Sequence, residues 1–151
     1  MSESFEIEEK QLPDMLIASH RMRGAYSDCR IGFKKVYRRF GMKVAGPAMM
    51  LHHDCEYKET DSDFEAAAPI KAGESKDDVE VRTLNGGRCI SLKHRGPFES
   101  LTEPYSKLRE FLEANQHEVL LPSREIYHKG PGMIFKGNPN KYLTEIQFLV
   151  K

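Results

Sequence analysis

The sequence predicts an α+β fold: a unit of strand, strand, helix, strand, strand used twice, its antiparallel sheets and two main helices flanking a ligand groove. Three observations lead there. Setting Gly24 against Gly96, an offset of 72, keeps the two halves in register without a gap through two strands and a helix. Each half carries runs of period-two alternation, as strands do. Each also carries one apolar stripe of helical spacing: Phe33, Val36, Tyr37 and Phe40 in the first, Leu101, Tyr105, Leu108 and Leu112 in the second.

Repeat one is assigned to residues 5–71 and repeat two to residues 78–151 of a single domain. The first begins with FEIEEKQ, a turn at LPD and a second strand MLIASHRMR. Its counterpart is VEVRTL, the hairpin signal NGG, and RCISLKHR. Under the offset Glu8 meets Glu80, Leu12 meets Leu84, Ser19 meets Ser91 and Lys35 meets Lys107. Gly24 and Gly96 end the paired strands, and a helix follows each. Pro104 places the regular start of the second helix near Thr102 or Glu103, after a preliminary turn over Pro97–Leu101. Gly41 and Asn115 are the expected stops. Two further strands close each half, AMMLHH with FEAAAPI and REIYH with YLTEIQFLV. The offset there grows to 75 at Pro47 and Pro122, then to 80 where Glu65 meets Glu145, the pattern left by loop insertions between preserved elements. Two four-stranded sheets related by a pseudo-two-fold would bury one shared core and leave a groove along the axis.

The chain has 151 residues, 39% hydrophobic and 30% charged, which is enough for a real core without a metal or disulfide staple. Lysine plus arginine balances aspartate plus glutamate at 23 each, so no global charge draws the chain to nucleic acid or to an acidic membrane. No run approaches the roughly 18 apolar residues of a membrane span, nor does the N-terminus read as a signal peptide. A bacterial-type cytoplasmic location is the default expectation. Cys29, Cys55 and Cys89 have no CxxC spacing and read as free thiols. His52, His53 and Cys55 offer ligand types, but adjacent strand histidines point to opposite faces, so no metal site and no cofactor is expected. His20 and His94 read as structural strand-end residues. The segment Met15–Lys43 holds eight basic residues and one acid, Asp28, whereas Asp54–Glu80 is acidic. A solvated helix face is the plain reading of that bias. A docking surface for an acidic partner along residues 30–39, through Lys34, Lys35, Arg38 and Arg39, is the alternative.

The stretches KHRGPFESL, PYSKLREFLEANQ, PSREIYHKGPG and YLTEIQFLV, in this order and spacing, resemble the GyrI-like small-molecule-binding family, related to effector-binding domains of AraC-type and MerR-type transcription regulators. The resemblance spans nearly the whole chain. It implies a tandem-repeat α+β fold whose groove takes hydrophobic, cationic or drug-like molecules, with a glutamate of the last strand at its floor, here Glu145. The aromatic of the proline-led strand carries over to Tyr127, one residue further from Pro122 than in the minimal pattern. No tryptophan is present for stacking. The expected ligand contacts are Glu145, Tyr127, Phe98, Tyr26, Met50 and His52. A carboxylate in an apolar, aromatic-walled groove pays a desolvation cost that a bound cation relieves, and when empty it should have a raised pKa. Two alternatives stay open. Family members include hydrolases of cyclopropane-bearing toxins, for which Glu145 would serve as base and Tyr127 as donor. Others buffer DNA gyrase, which would make gyrase a protein partner. A stand-alone binding protein is the leading expectation, with no direct nucleic-acid contact and no membrane partner.

Overall fold

A computed structural model describes residues 6–55, 58, 60–130 and 137–151. Ten main elements follow in the expected order: β1 (Ile7–Leu12), β2 (Met15–Gly24), α1 (Cys29–Phe40), β3 (Met49–His52), β4 (Ser62–Pro69), β5 (Glu80–Leu84), β6 (Gly87–Arg95), α2 (Thr102–Ala114), β7 (Val119–Lys129) and β8 (Leu143–Val150). Short 3-10 turns at Tyr26–Asp28 and Phe98–Ser100 lead into the two helices. α2 starts at Thr102, with Pro104 in its first turn where a missing N–H costs nothing, and it stops before Asn115.

The strands form one curled, half-barrel antiparallel sheet in the order β1-β6-β8-β7-β3-β4-β2-β5, not two separate four-stranded sheets. Exchanging each strand of the first half with its counterpart in the second reverses this order onto itself, with β3 and β7 meeting at the centre. The two expected hairpins are both open. β1 pairs with β6, Ile7 opposite Leu92, and β2 pairs with β5, Met15 opposite Leu84. NGG is therefore a crossing between non-adjacent strands. A two-residue type I′ hairpin needs positive φ at both central positions, and of these three residues Gly87 alone has it, at 146°. The two crossings lie back to back: Gly86 N–H donates to Asp14 Oδ1 at 2.7 Å, and a Cβ on Gly86 would lie 2.0 Å from the Leu12 carbonyl oxygen.

Both helices cover the same face of the sheet. Val36 and Phe40 of α1 pack on Ala18, Ala68, Ile70 and Val79. Leu108 and Leu112 of α2 pack on Ile90, Leu92, Ile146, Phe148 and Val150. The opposite face has its own apolar cluster, Ile17, Met49, Leu51, Ala67, Leu84 and Ile126, enclosed by the curl. Among the described residues, no helix is long and apolar enough to cross a membrane.

α1 rests on β4 at Gly32, where an added Cβ would sit 2.8 Å from Ala66 Cβ, below any ordinary carbon contact. Alanine would favour the helix by about 1 kcal/mol, but overpacking costs about 1–3 kcal/mol. Gly32→Ala is expected to lower stability by about 1 kcal/mol, a fall in Tm of about 2–4 °C for a chain of this size. A raised Tm in a thermal melt would show that the helix shifts without cost.

Candidate functional site

The centre of the helix-covered face is built from β3 and β7. Their register sets Met50 opposite Glu125 and His52 opposite Ser123, while β7 sets Glu125 opposite Ile146 and Tyr127 opposite Thr144 on β8. Directly opposed residues point to one face. Ile146 packs on α2, so Glu125, Tyr127, Met50 and His52 all lie beneath the helices.

Glu125 is buried and held by neutral donors. Tyr127 Oη donates to Oε1 at 2.8 Å, and Tyr105 Oη, from α2, donates to Oε2 at 2.5 Å. His52 Nε2 lies 3.4 Å from Oε2, without hydrogen-bond geometry. Burial pushes the Glu125 carboxyl up, but His52 and the two phenols outweigh it and hold the group below its ordinary value. The same burial, with the adjacent carboxylate, drives Tyr105 and Tyr127 well above the ordinary 10. Burial and then Glu125 raise the Cys29 thiol at the start of α1.

Aromatic rings surround this carboxylate. Tyr26 meets His52 edge-on at 5.2 Å and lies 5.7 Å from Phe64. Phe33 and Phe98 approach Tyr127 at 6.2 and 5.5 Å, and Phe98 reaches Tyr142 at 5.0 Å. The turns before the two helices deliver Tyr26 and Phe98, and the helices deliver Phe33 and Tyr105. These are the same pairs that the offset of 72 aligns. Phe98, 37% exposed, is the outermost of this set.

Five of the six expected contact residues, Tyr127, Phe98, Tyr26, Met50 and His52, are thus gathered at one place. Glu145 is not among them. It lies on the opposite face of β8 and is 2% exposed, with Lys10 Nζ at 2.8 Å, His128 Nε2 at 2.7 Å and Gln147 Nε2 at 2.9 Å. Burial pushes its carboxyl up, but these three hydrogen bonds and the Lys10 charge hold it at about 2, opposite to the raised value expected. Glu65 is held in the same manner by Ser19 at 3.0 Å, Arg82 at 2.5 and 2.8 Å and His53 at 2.6 Å, again at about 2 despite burial. Lys10 and Arg82 are 72 apart, His53 and His128 are 75 apart, and Glu65 and Glu145 are 80 apart. In each set the cation comes from the strand that crosses over from the other half, so both carboxylates pin an exchanged strand.

Sequence reading missed Glu125 and took Tyr105 and Phe33 for core stripe alone. A signal existed: in REIYH, Glu125 is two residues from Tyr127, and period two puts both on one face.

The remaining candidates are tied up elsewhere. His94 Nε2 contacts Ser100 Oγ at 2.7 Å, and His20 Nδ1 contacts the Asp78 carbonyl at 2.9 Å. Lys35 and Arg39 pair with Asp78 and Asp77 at 2.6 and 2.7 Å, so part of the basic bias is cancelled by the acidic segment beside it. Arg30, Lys34 and Arg38 remain exposed on α1. No cluster of three or more metal-ligand side chains occurs among the described residues. A surface cavity of about 570 Å³ borders the Glu65 network, and one of about 420 Å³ lies between β1 and α2.

Several known proteins share this architecture. The C-terminal domain of EcmrR superposes with a TM-score of 0.81 at 23% identity, over 97% of this chain and 98% of that domain. Against EcmrR in the EcmrR-DNA complex of EcmrR-RPo, the TM-score is 0.82 at 23% identity over 97% of this chain, but the chain spans 57% of that protein's length. A hydrolase encoded by lin2189 from Listeria innocua gives 0.72 at 14% identity, over 97% of this chain and 92% of that one. SAV2435 bound to tetraphenylphosphonium gives 0.64 at 15%, over 97% and 94%. At these identities the likeness establishes the fold. No curated protein sequence matches the chain. The profile of the GyrI-like small molecule binding domain matches residues 5–151, nearly the full length, and the chain therefore belongs to that family.

Proposed function

We propose that this domain captures hydrophobic aromatic cations at Glu125, between the entrances of α1 and α2. One observation carries the reading. Of the four buried acids among the described residues, Asp63, Glu65 and Glu145 each have a lysine or arginine within 4 Å, whereas Glu125 has none. A buried carboxylate held by phenols and ringed by aromatic faces, with no lysine or arginine beside it among the described residues, lacks a permanent positive charge, and a cation supplied by a ligand can take that place. Ring faces add about 0.5–2 kcal/mol per cation-π contact. The tetraphenylphosphonium held by the structural neighbour SAV2435 is a ligand of this class. The self-matching strand order and the paired offsets support a tandem repeat with its pseudo-two-fold axis between β3 and β7, where the site lies.

Tetraphenylphosphonium and the neutral triphenylphosphine oxide are the probes for a thermal-shift and titration series, followed by mass spectrometry of the recovered compound. At a hundred times Kd, ligand binding stabilises the folded state by about 2.7 kcal/mol, a shift of several degrees. Preferential stabilisation by the cation, with the compound returned intact, supports capture. A shift of equal size for the neutral compound would remove the cationic part of the reading. Hydrolysis of a strained electrophile would move the domain to the hydrolases, with Glu125 in place of Glu145 as base. Charge reversal at Lys34 and Arg38 is expected to leave the cation titration within twofold of the unaltered chain, since both side chains lie on the outer side of α1. A larger loss would bring the basic helix into the site.

A further inference from the structure

We infer that His52 is the site's own exchangeable counter-ion, and that a cation entering beside Glu125 expels the proton from its imidazolium. The inference rests on the reading of Glu125 as the cation-binding carboxylate. It adds a linkage that the reading does not require.

The geometry points this way. Three histidines face buried carboxylates in this fold, and two are fully engaged: His53 sits 2.6 Å from Glu65 and His128 sits 2.7 Å from Glu145. Each of those carboxylates also has a permanent cation, Arg82 or Lys10. At Glu125 no lysine or arginine lies within 4 Å among the described residues, and the histidine stands off at 3.4 Å, its Nε2 buried and without a hydrogen bond. Tyr105 already occupies Oε2, at 2.5 Å. His52 thus lies within charge-pairing distance without being locked to its partner, and Tyr26 flanks its ring.

Among the described residues, the other titratable groups facing this pair are few. They are the Tyr26 phenol from the turn before α1, the Cys29 thiol from α1, Tyr105 from α2 and Tyr127 from β7. Phe64 on β4 and Ile146 on β8 bring no charge. Arg109 on α2 acts on Tyr105 and reaches the Cys55 carbonyl. Histidine is the residue type among these that ordinarily changes charge between pH 5 and 8. With no ligand bound, an imidazolium at His52 would balance Glu125. A bound cation takes over that balance and repels the imidazolium, which then gives its proton to solvent. No covalent bond forms or breaks beyond that N–H. By linkage, the protonated state must weaken cation binding to the same degree that the cation favours proton loss.

The test is calorimetric titration of the whole chain with tetraphenylphosphonium at pH 5.5, 6.5 and 7.5, each in two buffers of different ionisation enthalpy. Affinity is expected to rise with pH, by at most about tenfold per pH unit for one linked proton, and then to level off. The observed heat should differ between buffers in the rising range, reporting up to one proton released per cation. His52→Gln is expected to bind with a pH-independent affinity and no buffer dependence. Triphenylphosphine oxide should release no proton from either form. Buffer-independent heat from the unaltered chain at all three pH values would overturn the linkage while leaving cation capture intact. Unchanged proton release in His52→Gln would overturn the assignment to His52. The buffer series on the unaltered chain needs no variant, so it decides the linkage even if His52→Gln does not fold. Binding of neither probe at any pH would overturn the Glu125 reading, and this inference with it.

Discussion

Glu125→Gln is expected to weaken tetraphenylphosphonium binding by thirtyfold or more while changing the affinity for triphenylphosphine oxide by less than threefold. Truncating one partner of a desolvated charge pair costs about 2–5 kcal/mol, and about 1.4 kcal/mol is a factor of ten. The amide keeps the shape of the side chain and one carbonyl oxygen, so one of the phenols of Tyr105 and Tyr127 retains its acceptor. The neutral probe measures what ring contacts and burial contribute on their own. A parallel fall for both probes would mean that the substitution had disturbed the aromatic packing and not the charge. Equal affinity of the variant and the unaltered chain for the cation would remove Glu125 from the site. Glu145→Gln supplies the contrast: it should lower stability and leave the cation preference in place, because Glu145 lies on the other face, bound to Lys10, His128 and Gln147.

Acid should unfold this protein through the two pinned carboxylates. Glu65 and Glu145 are held at about 2 in the fold against an ordinary 4.5. A depressed carboxyl stabilises the folded state at pH values above the unfolded value, and that contribution is lost as pH falls from about 4.5 towards 2. Each contributes roughly 3 kcal/mol at neutral pH by proton linkage. Urea denaturation followed by circular dichroism is expected to give a stability that is flat from pH 7 to about 5, then falls by several kcal/mol before pH 2.5. The double variant Glu65→Gln, Glu145→Gln should start lower, because Arg82 and Lys10 lose their partners. Below pH 4.5 it should fall less steeply. Parallel pH curves for the variant and the unaltered chain would show that the acid sensitivity resides elsewhere, in Asp63 for example, which Arg21 holds down by a side-chain hydrogen bond against its burial.

Repetition in the chain was informative but left a choice open. Glu65 and Glu145 align at an offset of 80, which fits a shared structural role or a shared site, and it was the family resemblance that implied Glu145 as the floor of a groove. In the structure their equivalence is structural: each receives a cation from an exchanged strand and a histidine from a neighbouring one. Glu125 has no acidic counterpart, since the offset of 75 places it opposite Met50. This carboxylate occurs once, where β3 and β7 meet at the centre of the sheet, without an acidic partner at the aligned position. That asymmetry was visible in the sequence only to a reader who already knew that β3 lies beside β7.

The sequence by itself determined the order and type of all ten main elements, the start of the second helix to within Thr102 or Glu103, and the residues of both helical stripes, because periodicity and capping are local properties of the chain. It also placed Tyr26 and Phe98 at the helix entries and put Glu145 and Ile146 on opposite faces of β8. The tertiary structure alone decided which strands pair. A short connection such as LPD or NGG is compatible with a hairpin, yet β1 and β5 pair with strands of the opposite half of the chain, which brings Lys10 and Arg82 to Glu145 and Glu65. Strand partners are chosen by contacts distant in the chain, and alternation cannot say which neighbour supplies a counter-charge. For the same reason the site's carboxylate became visible only in the register of β3, β7 and β8, which brings Glu125 under two helices with phenols on both oxygens and, among the described residues, no lysine or arginine beside it.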